Sequence, residues 1–228
     1  MEKDLRILEK IVNINFNNKD LLEQAFVHRS YLNENPKFPL SDNERLEFLG
    51  DAVLELVVTE YLFLNYPNPE GDLTNWRSAL VRGQTLSEIA SNLEFDNYLY
   101  LSRGEAKGNG RARQLILANN FEAFIGAIYL DQGMDVAKNF IEKYIIVRLK
   151  KILEEELHID PKSKFQEIAQ EKTGITPIYK LIKEEGPDHE KKFTIGVFVG
   201  DKMYGKGVGF SKQAAEIQAA EKALSKGF

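Results

Sequence analysis

Asn43-Glu44-Arg45-Leu46-Glu47-Phe48-Leu49-Gly50-Asp51-Ala52-Val53-Leu54 is the stretch on which the reading of this chain turns. Few helix breakers follow it until Pro67, and the Asp42-Asn43 pair supplies side chains that cap a helix N-terminus. Leu46, Leu49, Val53, Leu56 and Val57 recur at helical spacing and predict an apolar stripe. Glu44, Glu47 and Asp51, at i, i+3 and i+7, align three carboxylates on a neighbouring face. Gly50 breaks the pattern. Inside a helix it costs about 1 kcal/mol relative to Ala, which points to close approach by another backbone or a ligand. An acidic column beside bare backbone suits a hard divalent cation, while the plainer reading is a solvated acidic face. The stretch alone leaves both open.

The 228 residues have room for one large domain or two modest ones. A hydrophobic share of 43% and a charged share of 29% are ordinary for a soluble globular chain. Cysteine is absent, which excludes disulfides and thiolate metal sites. His28, His158 and His189 lie too far apart in sequence to make a zinc motif. The opening Met1-Glu2-Lys3-Asp4-Leu5-Arg6 is unlike a signal peptide, and no apolar run reaches the length of a membrane span. The expected location is cytoplasmic. Net charge is −5 but unevenly divided. Residues 1–159 carry 18 Lys+Arg against 25 Asp+Glu, and residues 160–228 carry 12 against 10. An acidic front half with a mildly basic tail fits an acidic metal site joined to a phosphate-contacting module.

The front half reads as all-α. Leu5, Leu8 and Val12 open one amphipathic helix, and Asn17-Asn18-Lys19-Asp20 caps a second. Tyr66 to Asp72 is expected to be a loop, Leu73 to Leu93 a helix with Trp76, Leu80, Leu86 and Ile89 inward. Ser102 to Gly110, with three glycines, is expected to be a loop; residues 112–130 and Val136 to Glu156 are expected helices. Beyond Pro161 the period changes. A short helix to Lys172, strands at Tyr179–Lys183, Phe193–Val199 and Lys202–Lys206, and an alanine-rich helix from Ser211 to Ser225 give α-β-β-β-α. The predicted division is 1–156 for the helical domain and 157–228 for a linker with a small α+β domain.

Ala118-Asn119-Asn120-Phe121-Glu122-Ala123-Phe124-Ile125-Gly126-Ala127-Ile128-Tyr129-Leu130-Asp131 is the other unusual helix. Glu122 stands among apolar neighbours, with Asn119 one turn before it and Gly126 one turn after. A charge so placed either lies on a narrow exposed strip or faces Glu47 and Asp51 across a metal. Glycines at comparable places, Gly50 and Gly126, point to close packing of the two helices.

Together these segments resemble the ribonuclease III family. Asn43 to Leu54 resembles its signature segment, His28-Arg29-Ser30-Tyr31 the segment before it, and Phe121 to Asp131 its second active-site helix. The tail resembles a double-stranded-RNA-binding domain, and the likeness covers nearly the whole chain in the bacterial order. It implies an all-α endonuclease domain followed by a small α+β binding domain. The implied activity is Mg²⁺-dependent cleavage of double-stranded RNA, with Mn²⁺ as a substitute, in processing precursors such as rRNA and mRNA. Products carry 5′-phosphate and 3′-hydroxyl ends with short 3′ overhangs. By the same resemblance Glu47, Asp51, Asn119 and Glu122 hold the metal, Asp51 and Glu122 are catalytic, and Asp51 orients the attacking water. Glu44 and Glu70 match acidic positions near the cleavage site. Phe48 matches an aromatic residue that packs into the partner of a homodimer; read without the family, it is ordinary core.

Asn119 departs from the family, most of whose members have Asp there. An amide still offers an oxygen, with one charge fewer, and Asn120 cannot replace it because it points about 100° around the helix. In the tail, Gln166 and Gln170 lie four apart and can face a minor groove, and His189 sits in the loop Gly186-Pro187-Asp188-His189 that can enter the next one; read singly, they are a solvated polar helix and a plain turn. Ser211 and Lys212 start the last helix, whose N-terminus favours phosphate. Gln213 stands where the family usually has a second lysine. The alternative function is a non-catalytic double-stranded-RNA-binding protein on the same scaffold.

Overall fold

A computed structural model describes residues 3–156, 158–187 and 191–227. The chain divides into two compact units, Met1–His158 and Ile159–Phe228. The first contains helices α1 (Leu5–Val12), α2 (Lys19–Ala25), α3 (Arg29–Glu34), α4 (Glu44–Asn65) and α5 (Glu70–Val81). It continues with α6 (Gly83–Asn92), α7 (Arg103–Ala106), α8 (Gly110–Gln132), α9 (Met134–Tyr144) and α10 (Leu149–Glu154). The second contains α11 (Pro161–Thr173), strands β1 (Ile178–Glu185), β2 (Lys192–Val199) and β3 (Lys202–Gly209), and α12 (Lys212–Ser225). The expected order of an all-α unit followed by α-β-β-β-α is the order found.

Capping and burial explain most of these elements. The Asn18 side chain accepts from the Asp20 and Leu21 nitrogens and starts α2. At α4 the expected capping pair divides its work: the Asp42 carboxylate takes the Glu44 nitrogen at 3.2 Å. Asn43 is buried instead, its amide donating to the Ala25 carbonyl at 3.0 Å. Leu46, Val53 and Val57 face the core, but Leu56 is 58% exposed. At 100° per residue Leu56 falls about 80° off the line through its partners.

Several boundaries depart from expectation. Leu73 to Leu93 is two helices, α5 and α6, broken at Arg82, whose ψ of 144° is extended. Trp76, Leu80, Leu86 and Ile89 are nevertheless all buried. Helix α5 begins at Glu70, because Pro69 in an extended conformation leads directly into a helical turn. The segment expected to be a loop from Ser102 holds α7, started by the Ser102 hydroxyl accepting from the Glu105 nitrogen at 3.2 Å. The long last helix breaks at Ile145, where Ile145-Ile146-Val147 sets three β-branched residues in a row.

Helix α8 runs through the middle of the first unit. Phe121, Ala123, Phe124, Ile125, Ala127 and Ile128 are fully buried, as expected of a helix apolar on every side. Phe16, Phe26, Phe95 and Phe140 surround Phe121 and Phe124, with ring centroids 5.0 to 5.9 Å apart. In the second unit the sheet order is β1-β2-β3, antiparallel throughout. Ala219, Ala220 and Ala223 of α12 close over Phe165, Val197 and Val199. Their small size lets the helix backbone approach Gly205 and Gly207 of β3.

Candidate active site

Helices α4 and α8 cross with their backbones in contact. A Cβ added at Gly50 would overlap the Glu122 carbonyl and lie 2.8 Å from the Gly126 nitrogen. One added at Gly126 would overlap the Leu46 carbonyl and lie 3.1 Å from the Gly50 nitrogen. The two glycines singled out in the sequence are therefore each other's neighbours, and neither position has room for a side chain. Because Glu47 and Asp51 flank Gly50 on α4, the crossing brings them beside Glu122 of α8.

The electrostatics report that convergence. Burial pushes the Glu122 carboxyl up to about 8, and the charges of Asp51, Glu47 and then Glu55 push the same way. Glu47 is also raised, chiefly by burial; hydrogen bonding to Asn119 opposes the shift, and Glu44 and Asp51 add to it. Asn119 thus faces Glu47 across the crossing. Asn120 turns the other way, fully buried, and donates to the Ala25 carbonyl at 2.6 Å. Among the described residues no lysine or arginine forms an ion pair with Glu47, Asp51 or Glu122. Glu55, one turn further along α4, pairs with Arg77 at 3.0 Å. Nor, among the described residues, are three His, Asp or Glu side chains gathered tightly enough to encircle a cation by themselves. The cluster is an open acidic group with the Asn119 amide hydrogen-bonded to one of its members, Glu47. All its donors are oxygens, the chemistry that hard divalent cations use, and among the described residues its negative charge has no cationic partner.

The remaining residues singled out in the sequence fall in different places. Glu44 is exposed and pairs with Arg29 at 3.2 Å. Glu70 accepts from the Thr74 hydroxyl at 2.9 Å and lines a hollow with Thr59, Phe63 and Tyr66. Thr59 and Phe63 lie about 12 to 18 Å along α4 from Asp51, so the fold of one chain does not bring Glu70 to the acidic cluster. Phe48 is 82% exposed, which overturns its reading as core.

In the second unit, Gln166 and Gln170 are exposed on α11, and Gln170 donates to the Thr176 hydroxyl at 2.9 Å. Gln166 shares a recess of about 270 Å³ with Lys162, Tyr179 and Gln213, which joins the start of α12 to the face of α11. The Ser211 hydroxyl accepts from the Ala214 nitrogen, so one free N–H at the start of α12 is already taken. Lys212 lies over the Phe193 ring at 6.0 Å. His189 lies outside the described residues.

A run of cations stands on a segment whose sequence predicts only a loop. Arg103, Lys107 and Arg111 are exposed on and after α7, and among the described residues none has an ion-pair partner. The signal was present in Arg103-Gly104-Glu105-Ala106-Lys107-Gly108-Asn109-Gly110-Arg111, where cations recur every four residues between glycines.

A helical unit with a carboxylate cluster at a helix crossing, followed by an α-β-β-β-α unit, defines a nuclease joined to a duplex-RNA-binding module. Comparison with known proteins agrees. The Ribonuclease-III-like family profile matches residues 18–149, and the Double-stranded RNA binding motif matches residues 161–226. Ribonuclease 3 of Enterococcus faecalis is 48% identical over 219 residues, covering 95% of this chain and 94% of that protein. Ribonuclease 3 of Carboxydothermus hydrogenoformans is 45% identical over 224 residues, covering 98% and 95%. The crystal structure of the nuclease domain of ribonuclease III from Campylobacter jejuni is 38% identical, with a TM-score of 0.58. That match covers 64% of this chain and 97% of the nuclease domain. The chain belongs to the ribonuclease III family and is an endoribonuclease acting on double-stranded RNA.

Proposed function

We propose that this enzyme hydrolyses double-stranded RNA with Mg²⁺ held by Glu47, Asp51, Asn119 and Glu122, and leaves 5′-phosphate and 3′-hydroxyl ends. Mn²⁺ has the same preference for oxygen ligands and replaces it. The observation that carries the reading is the convergence of the three carboxylates and the amide across the Gly50–Glu122 crossing, with no lysine or arginine among the described residues paired to them. Bound there, Mg²⁺ supplies Lewis-acid stabilisation of charge on the phosphodiester oxygens.

The residues of the chain do the rest. Glu47 and Glu122, half-buried on rigid helices, hold fixed oxygens at the crossing. Asn119 orients Glu47 by hydrogen bonding to it. Asp51 is exposed beside Gly50, where it accepts a hydrogen bond from water and points the water's lone pair at phosphorus. Glu44 and Glu70 are substrate-side acids in this reading. Residues 1–156 form the nuclease domain and 157–228 the linker and binding domain. In the latter Gln166, Gln170 and His189 contact minor grooves, and Ser211 and Lys212 contact phosphates.

The enzyme works as a homodimer in which each site cuts one strand and short 3′ overhangs result. Phe48, Leu56, Phe63 and Leu64 support this, because all four are large apolar side chains left exposed on α4. One of the Campylobacter jejuni nuclease-domain structures is described by flexibility in a region of dimer formation. Structured precursors of rRNA and mRNA in the cytoplasm are the substrates.

The test is to incubate the chain with long duplex RNA and Mg²⁺ beside a Glu122→Gln variant. Ladders of shortened duplex with the parent alone, lost in EDTA, are expected. Binding without cutting by either protein would instead establish a non-catalytic duplex-RNA-binding protein.

A further inference from the structure

The exposed cations of residues 103–111 follow a segment that hydrogen bonds centred on Ser30 tie to helix α3. Helix α3 grips the start of this segment at two points. The Ser30 hydroxyl oxygen accepts from the Ser102 nitrogen at 3.1 Å, and the Glu34 carboxylate accepts from the Arg103 nitrogen at 3.2 Å. Ser30 is itself held by His28. The His28 Nδ1 accepts from the Ser30 nitrogen at 3.3 Å and lies 2.7 Å from the Ser30 oxygen. Because Nδ1 accepts from the Ser30 nitrogen through its one lone pair it carries no proton, so the Ser30 hydroxyl donates in the 2.7 Å contact and its oxygen accepts from Ser102.

The same short segment reaches the metal-site helix. The Asn43 nitrogen, at the start of α4, donates to the Val27 carbonyl at 2.9 Å, and the His28 nitrogen donates to the Tyr100 carbonyl at 3.1 Å. Arg29 then pairs with Glu44 in the first turn of α4. Residues 27–34 therefore lie between the helix that carries Glu47 and Asp51 and the segment from Tyr100 that leads to Arg103. At its far end the cationic segment enters α8, where Arg111 lies about 12 Å along the axis from Asn119.

An acidic cluster repels the polyanion it acts on, so seating a duplex there requires cations at a fixed place nearby. We propose that Ser30 is a positioning residue: it fixes residues 103–111 so that Arg103, Lys107 and Arg111 seat the phosphates of the duplex beside the acidic site. The proposal rests on the nuclease reading and concerns how its substrate is placed. Ser30 touches neither RNA nor the acidic cluster. Its loss loosens the segment and lowers the share of molecules in which all three cations are aligned.

The experiment is steady-state cleavage of duplex RNA by the full chain and by Ser30→Ala, Ser30→Thr and Glu34→Gln variants, with amide exchange measured across residues 102–108. Loss of one such hydrogen bond is expected to raise KM about three- to tenfold while kcat stays within about twofold. The Ser102 and Arg103 amides should exchange faster in Ser30→Ala, and Ser30→Thr should restore both readouts. Glu34→Gln, which keeps an acceptor oxygen but removes the charge that strengthens the second grip, should raise KM in the same sense and by less. Arg111→Gln should raise KM and make its dependence on salt shallower. Unchanged KM and unchanged exchange in Ser30→Ala, with parent cleavage still dependent on Glu122, would overturn this proposal and leave the nuclease reading standing. A fall in kcat at constant KM would overturn it as well. A parent that binds duplex without cutting it would overturn both.

Discussion

Gly50 and Glu122 meet backbone to backbone, so the residue that bares α4 and the residue that brings charge to α8 are placed by one contact. Any side chain at Gly50 must push the two helices apart. Gly50→Ala is therefore expected to destabilise the first unit by more than about 3 kcal/mol, or to prevent its folding, although alanine favours helices elsewhere. Urea unfolding measures this. A variant as stable as the parent would show that the helices do not touch at Gly50.

Stability of the metal-free protein should fall as pH rises. The Glu122 carboxyl titrates at about 8 in the folded protein, above its ordinary 4.5. Below 4.5 folded and unfolded chains both hold the proton. Between 4.5 and about 8 the unfolded chain releases it first, so the folded state loses ground across that window and levels off above it. Glu47, also raised, acts in the same direction. Thermal unfolding in EDTA should show the slope, and Glu122→Gln should flatten it and unfold above the parent at pH 8. A parent whose midpoint holds level from pH 5 to 8 would contradict the shift.

Placing an acid at Asn119 sets two effects against each other. Asn119→Asp adds a fourth carboxylate beside Glu47, which should lower the Mg²⁺ needed for half-maximal cleavage several-fold. The same charge should reduce metal-free stability at pH 8, because repulsion in the cluster grows. Cleavage against Mg²⁺ concentration and unfolding in EDTA read the two effects separately.

Phe48→Ala distinguishes an interface residue from a core one. At 82% exposure its removal should change the stability of the separate subunit by less than about 1 kcal/mol. Sedimentation should nevertheless show the dimer dissociating at higher protein concentration than the parent. A large loss of stability without change of assembly would return Phe48 to the core.

Much of this arrangement was legible in the sequence. The period of α4 and α8, the matched glycines and the isolated Glu122 pointed to a helix crossing, because each is costly without a partner. The α-β-β-β-α order was legible from the change of period and from the alanines of α12. Breaks inside helices were not. Arg82 and Ile145 interrupt apolar periods that run on across them, so periodicity alone joined α5 to α6 and α9 to α10. Glu70 looked like Glu44 in sequence, yet lies beside Thr59 and Phe63, a separation that depends on how α5 packs against α4. The role of Ser30 depends on hydrogen bonds to residues 102 and 103, and no local pattern encodes contacts across such a span.

In the proposed site Glu47, Asp51 and Glu122 share one cation across the crossing of α4 and α8. Mn²⁺ binding followed by electron paramagnetic resonance, in which the free ion loses its signal on binding, tests this without RNA or turnover. The parent should bind Mn²⁺ at pH 8 in competition with Mg²⁺, and Glu47→Gln, Asp51→Asn and Glu122→Gln should each weaken binding at least tenfold while remaining folded. Equal binding by the parent and all three variants would contradict the claim.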